Sequence, residues 1–331
     1  MRYLILFFTF IMISFQAVAQ LGEEAYSFLR FPASTRVNAL GGANVSLVER
    51  DPSLALHNPA LLGGEMDKMI SLSYMNYISD INVGNLLFSR ILGERGTWGV
   101  GVTYINYGTF DLKDNNNNGT GTFSANDIAL RGLYSYDLSD KWRGGLSLLF
   151  LYSAFEKYSS FGLGVDAGLS YYDADKDFSF GIALKSIGAQ LKAYETDRQK
   201  MPWDIQAGIS KRVAHAPFRF SLTARYLNQW KFDAVDDLEP EAEDNFLKTL
   251  VKHFVIGVDF IPSDNFWVGI GYNPKTHYDM QLSGGNTFSG FTAGAGVKIK
   301  SFDVGVSLAH FHPSATSLML TVSASLEKFA P

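Results

Sequence analysis

Apolar and polar residues alternate one for one through most of the chain. In "WRGGLSLLFLY", Trp142, Gly144, Leu146, Leu148, Phe150 and Tyr152 fall on one face and Arg143, Gly145 and Ser147 on the other, a period of two that belongs to extended strand and not to helix. "DFSFGIALK" sets Phe178, Phe180, Ile182 and Leu184 against Ser179, Gly181, Ala183 and Lys185. Near the C-terminus Leu318, Leu320, Val322, Ala324 and Leu326 alternate with Met319, Thr321, Ser323, Ser325 and Glu327. From Lys68 onward the pattern predicts about fourteen strands, near 68–77, 83–92, 97–107, 126–136, 142–152, 162–172, 177–187, 203–212, 217–229, 250–261, 265–272, 288–299, 301–310 and 316–328. An even number of antiparallel strands returns both ends of the sheet to one side of a membrane.

The connections sort by parity. Every second one is a short turn, "LGERG", "DLSD", "DADK", "VAHA", "PSDN" and the step Lys300-Ser301. The long ones fall between them and include "GTFDLKDNNNNGTGTFSA", "GAQLKAYETDRQKMP", "WKFDAVDDLEPEAEDNFLKTL" and "NPKTHYDMQLSGGNT". Short turns at one end and long loops at the other are the asymmetry of transmembrane barrels, and a soluble sandwich has no physical reason to sort its loops this way. The fold class expected is therefore all-β, a transmembrane antiparallel β-barrel of about fourteen strands. Trp98, Trp142 and Trp267 follow short turns while Trp203 and Trp230 adjoin long loops, which predicts two interfacial girdles.

Composition agrees and removes other classes. Only 18% of residues are charged, the formal net charge is -5, and Gly (31) and aromatics (14%) are abundant. That excludes a nucleic-acid binder, which needs a basic face. Mean hydropathy is near zero, as it must be when lipid-facing and lumen-facing residues cancel. There is no cysteine, so neither a disulfide framework nor thiol lipidation is available. The first residues read as a secretory leader: Arg2, an apolar run from Leu4 to Phe15, and Ala17-Val18-Ala19 as the cleavage site. The run is shorter than the roughly 20 residues a spanning helix requires. The expected organisation is a signal peptide at 1–19, an N-terminal plug or hatch segment at 20–67, and an outer-membrane barrel at 68–331.

Residues 20–67 lack alternation and are too apolar to remain a free tail, so they are expected inside the barrel. Within them, "YSFLRFPAS", "ALGGANVS" and "DPSLALHNPALL" resemble the N-terminal region of the PorV/PorQ family, FadL-related outer-membrane proteins of the type IX secretion system. Their spacing most resembles the PorQ members. The resemblance covers about the first fifth of the chain, and the strands match in pattern only. It implies a hatch in which Asn58, Pro59 and Ala60 are the plug motif. Physically, Pro59 fixes its own φ and holds Asn58 out of helix, making a rigid bend. It also implies a noncatalytic component that anchors a PorZ-like surface subunit of the cargo attachment complex, with PorZ-, PorU- and PorV-like proteins as partners. The outer loops, and Asp233, Asp236, Asp237, Glu239 and Glu241 among them, are the expected partner-binding residues.

Alternation also assigns an inner wall. Arg131, Arg143, Lys185, Asp204, Arg219, Arg225, Asp259, Asp303 and Glu327 fall opposite the apolar face, where charge is tolerable, whereas Arg or Lys toward the lipid midplane costs about 2–4 kcal/mol. A filled, polar lumen suits the secretion reading better than the alternative, a FadL-like transporter with an apolar pocket for a hydrophobic small molecule.

Catalytic and metal signatures are weak. Ser325 and Lys328 have the S-x-x-K spacing, but on a strand end residues three apart point to opposite faces. His310 and His312 share one side of a strand without identifiable further ligands. "DNNNNG", Asp114 to Gly119, begins like a calcium loop and then has Ala125 where a bidentate Glu is needed. The expectation is no enzyme, no cofactor and no metal.

Overall fold

The computed structural model describes residues 24–113, 119–195, 197–230, 232, 246–280, 288–313 and 315–329. Fourteen strands form one closed antiparallel barrel. They are β1 (Met69–Asn76), β2 (Asn82–Leu92), β3 (Gly96–Lys113), β4 (Gly119–Asp137), β5 (Trp142–Phe155), β6 (Tyr158–Asp173) and β7 (Phe178–Lys192), followed by β8 (Asp204–Arg212), β9 (Phe218–Ala224), β10 (Phe254–Ser263), β11 (Phe266–Tyr272), β12 (Phe291–Ile299), β13 (Phe302–His312) and β14 (Ala315–Ser325). Each pairs with its sequence neighbours, and β1 closes on β14 from Met69↔Ser325 to Asn76↔Leu318. Closure satisfies every strand edge, which lipid demands. Among the described residues no helix is long and apolar enough to cross a membrane.

The alternation has its expected physical result. Leu148 is 56% exposed and its neighbour Leu149 1%, so the apolar row that a soluble protein would hide is the outer surface. The inner rows are not purely polar: Ile105, Leu149, Leu151, Met75, Val83 and Met319 form an apolar cluster with Tyr26 and Phe28.

Several expected boundaries move. The stretch from Gly108 to Ala125, expected as a loop, is mostly strand, because Thr109↔Ser124 and Phe110↔Phe123 continue the ladder past a bulge at 106/109 and the two Phe rings stack at 5.1 Å. β9 ends at Ala224 instead of near 229, since Tyr226 takes positive φ. Residues 246–252 form a short helix, α2, ahead of β10, and Pro274–Asp279 forms another, α3. The first helix, α1 (Thr35–Ala39), is capped by Ser34 Oγ accepting from Arg36 N, and all five of its residues are buried.

The N-terminal segment, 24–67, lies against strands from every side of the barrel. Thr35 meets Thr321 of β14, Asn38 meets Ser307 of β13, and Gly41 N donates to Thr292 of β12. Further along, Ser46 meets Ser210 of β8, and Ser135 of β4 and Ser89 of β2 donate to Leu62 O and Met66 O. Its apolar side chains form two clusters of their own, one around Leu40, Leu47, Leu54 and Leu61, the other joining Leu56, Leu62 and Met66 to Met69, Leu87 and Leu133 of the wall.

Candidate functional site

The Asn58-Pro59-Ala60 motif sits at the wall. Asn58 is extended and fully buried, its Oδ1 accepts from Ala60 N at 3.0 Å, and its Nδ2 donates to Val45 O at 2.8 Å. Pro59 opens a single 3₁₀ turn, where its missing N–H is no loss. The backbone here lies so close to β5 and β6 that a Cβ at Gly145 would overlap Pro59 and one at Gly168 would overlap Asn58.

Two ion-pair groups tie the segment to the strands. In the first, Arg36 forks onto Glu49 at 2.8 and 2.9 Å, and its Nη1 lies 2.9 Å from Asp259. Arg219 of β9 binds the same Glu49 at 2.6 Å and Asp259 at 2.9 Å. Two guanidiniums thus face two carboxylates with no net charge, and Asp259 is fully buried. Burial opposes ionisation of Glu49, but Arg219 and Arg36 hold its carboxyl at about 2. The Arg36 guanidinium also lies 4.1 Å from the Trp267 ring centroid. Trp267 therefore points into the barrel, contrary to the expected girdle position. It turns inward because Gly296 across the ladder leaves room for the indole, and the cation gives its ring face a partner.

In the second group, Lys185 of β7 donates to Leu56 O at 2.6 Å and pairs with Asp166 of β6 at 3.1 Å. Arg131 of β4 donates to Thr103 at 3.2 Å, and Arg225 lies 3.7 Å from Asp204. Around them the barrel keeps a cavity of only about 30 Å³, space for about one water. His57 borders it. Burial, then Lys185, Arg131 and Arg225, hold its imidazole well below its usual value, and its Nε2 accepts from Ala33 N at 3.1 Å.

The remaining expected wall charges are placed as follows. Arg143 bridges Asp137 at 2.5 Å and Glu65 at 3.2 Å. Asp303 is half-buried beside a cavity of about 340 Å³ at the short-turn end and faces Lys298 across the β12–β13 register. Glu327 lies beyond β14 in a closing 3₁₀ turn, half exposed, 3.7 Å from Lys68. Asp233, Asp236, Asp237, Glu239 and Glu241 lie outside the described residues, as do residues 1–23 and Asp114 to Asn118 of the calcium-like loop.

Sequence reasoning missed the partners supplied by the N-terminal segment. Arg36, Glu49 and Asp51 are charges inside a stretch expected to be buried, and that mismatch is the signal that could have found them. Asp51 collects the hydroxyls of Ser34 at 3.1 Å, Ser53 at 2.7 Å, Ser71 of β1 at 3.4 Å and Ser323 of β14 at 3.1 Å.

Ser325 ends β14 and accepts from Arg50 at 3.4 Å, while Lys328 lies in the following turn, and His310 Nδ1 is 3.1 Å from Thr316. Among the described residues no group of three or more metal-ligating side chains occurs.

Solved structures similar to the chain include the toluene transporter TodX of Pseudomonas putida, at 12% identity and TM-score 0.55 over 88% of this chain and 97% of that one. A FadL homologue of Pseudomonas aeruginosa matches at 12% identity and TM-score 0.50 over 89% and 98%. At such identity the likeness is one of fold alone, that of a closed antiparallel barrel. No curated protein matches the sequence. The family model for the type IX secretion system membrane protein PorP/SprF matches residues 55–312, from just before the Asn-Pro-Ala turn to the end of β13. This is a different family name from the PorV/PorQ resemblance carried by the N-terminal motifs, within the same secretion system. The chain belongs to the PorP/SprF family of type IX secretion system membrane proteins.

Proposed function

We propose that the protein is a noncatalytic outer-membrane component of the type IX secretion system. In this reading the N-terminal segment is a plug that closes the barrel, and the loop end anchors a PorZ-like surface subunit of the cargo attachment complex, as the PorQ-like motifs imply. The family match over residues 55–312 carries the reading. Two features support it. The ion pairs from Arg36 and Glu49 to the wall and the hydrogen bond that Leu56 O accepts from Lys185, with a central cavity of about 30 Å³, suit a barrel that holds better than one that conducts. The longest connections, 193–203, 225–253 and 273–290, all leave the same end, and the acidic residues 233–241 lie within one of them. Export would follow cleavage after Ala19, with outer-membrane lipid around the apolar face and PorU- and PorV-like proteins beside the PorZ-like one.

A deletion strain tests this against uptake of hydrophobic compounds. The expected outcome is loss of surface attachment of secreted cargo with unchanged growth on long-chain fatty acids, and co-isolation of secretion components with the tagged protein from outer membranes. Normal attachment with lost uptake would overturn it.

A further inference from the structure

A second cavity at the loop end, about 430 Å³, lies between the N-terminal segment and the ends of β3 to β6. Its walls are rings: Tyr26, Tyr107, Tyr158 and Tyr194, with Phe110 and Phe155 toward the mouth. Phe110, Phe123 and Phe155 pack on one another there, Phe123 contacting its two neighbours at 5.1 and 5.2 Å. The carboxylate of Asp127 is set among these rings and is 6% exposed. Tyr107 OH donates to it at 2.6 Å and Ser153 is its other hydrogen-bond partner. Tyr194 OH is bonded in turn to Ser153. No Lys or Arg among the described residues forms an ion pair with Asp127. Arg30 is engaged by Glu24 at 2.5 Å, and Lys157 rests 5.3 Å from the Tyr158 ring centroid.

Among the described residues the charges lining this cavity are acidic, Glu24, Asp127 and Glu195. The adjoining cavity at the same end, about 210 Å³, is bordered by Arg30, Arg225, Lys252 and Lys275 with Asp279, so the two differ in charge as well as position. A buried carboxylate with two hydroxyl donors and no cation lacks the partner that ordinarily offsets its desolvation, and aromatic faces attract cations. We propose that this cavity binds an organic cation, an ammonium or guanidinium carrying apolar substituents. The charge would sit against Asp127 and its substituents against the rings of Tyr26, Tyr107, Tyr194, Phe110 and Phe155. A fatty carboxylate would meet three acidic groups, and a neutral aromatic would leave Asp127 as it is. This proposal does not depend on the secretion role.

The test is calorimetric titration of the purified full-length protein in detergent with benzyltrimethylammonium, beside benzyl alcohol and octanoate at matched ionic strength. The ammonium should bind at least tenfold more tightly than either. Asp127→Asn should weaken it at least tenfold while heat-modifiable migration of the barrel is retained. A parallel titration with N-acetyl-arginine amide distinguishes the sources: tighter binding than the ammonium assigns the site to a side chain of a surface polypeptide, weaker binding to a free small cation. Equal or better binding of octanoate or benzyl alcohol, no binding of either cation, or an Asp127→Asn variant with unchanged affinity would overturn the proposal.

Discussion

Glu49 and Asp259 each hold two guanidiniums, so neither can be removed without stranding charge. Truncating one member of a buried ion pair costs about 3–5 kcal/mol, mostly from the partner left behind. Asp259→Ala, which strips a fully buried carboxylate from both Arg36 and Arg219, should lower the denaturation midpoint of the detergent-solubilised barrel and open the N-terminal segment to protease. Glu49→Gln should do less, because Glu49 is 27% exposed and water can replace part of the loss. The pH dependence has a definite sign. With the folded carboxyl at about 2 against an ordinary 4.5, its contribution is complete above pH 4.5 and is lost as pH falls toward about 2. From Glu49 alone, protection of the segment would be flat from pH 8 to 5. Buried His57, whose imidazole is held well below its usual 6.5, loses its contribution as pH falls below about 6.5, so protease protection should begin to weaken there and fall further in the acid range. Glycine gives the steric counterpart. Gly168→Val should displace Asn58 and loosen the segment, whereas Gly132→Val on the same barrel, where an added Cβ meets nothing, should leave protection unchanged.

Strand length separates the elements that only span from those that project. About 9–11 tilted residues cross a bilayer, which β1, β8, β12 and β13 approximate, while β3 and β4 run to 18 and 19 residues. The surplus of β3 and β4 stands above the loop end and carries Phe110 and Phe123. Replacing residues 108–124 with a short Gly/Ser turn should leave heat-modifiable folding intact, and retention of wild-type migration on unheated gels checks it. These lengths also show what the sequence could and could not tell. Alternation located all fourteen strands because each has one face in lipid and one against the interior. It under-read the β3–β4 extension because Gly108, Gly119, Gly121 and the Asn run have loop composition, and only the cross-strand Phe pair overrides it. Trp267 was misplaced for the same kind of reason: a tryptophan near a turn suits an interfacial girdle, and nothing local reveals that Arg36, far away in sequence, is waiting on the inner side. The ion pairs were half legible, since Lys185, Arg219 and Arg225 pair with Asp166, Asp259 and Asp204 of the wall, whereas Arg36 and Glu49 lie in the one segment that has no period.

For the whole molecule, connection parity makes a topological prediction that the absence of cysteine makes simple to check. A cysteine at Asp197, in the 193–203 connection, should react with an impermeant maleimide on intact cells, and one at Asp140 should not. Labelling at Asp140 alone would invert the barrel. The hydroxyls that Asp51 collects come from both sides of the join between the first strand and the last, Ser71 and Ser323, and Thr35 and Arg50 reach β14 while Ala33 O receives Ser73 of β1. The segment that precedes β1 thus contacts the two strands that are synthesised farthest apart and must meet last. Its position implies an order of assembly in which it collapses early and serves as the form on which the ends of the sheet find their register, since a finished ring would leave it no lateral way in. Asp51→Ala should accordingly slow the appearance of the heat-modifiable species during refolding more than it shifts the final yield, so that a side chain on no strand governs the rate at which the cylinder seals.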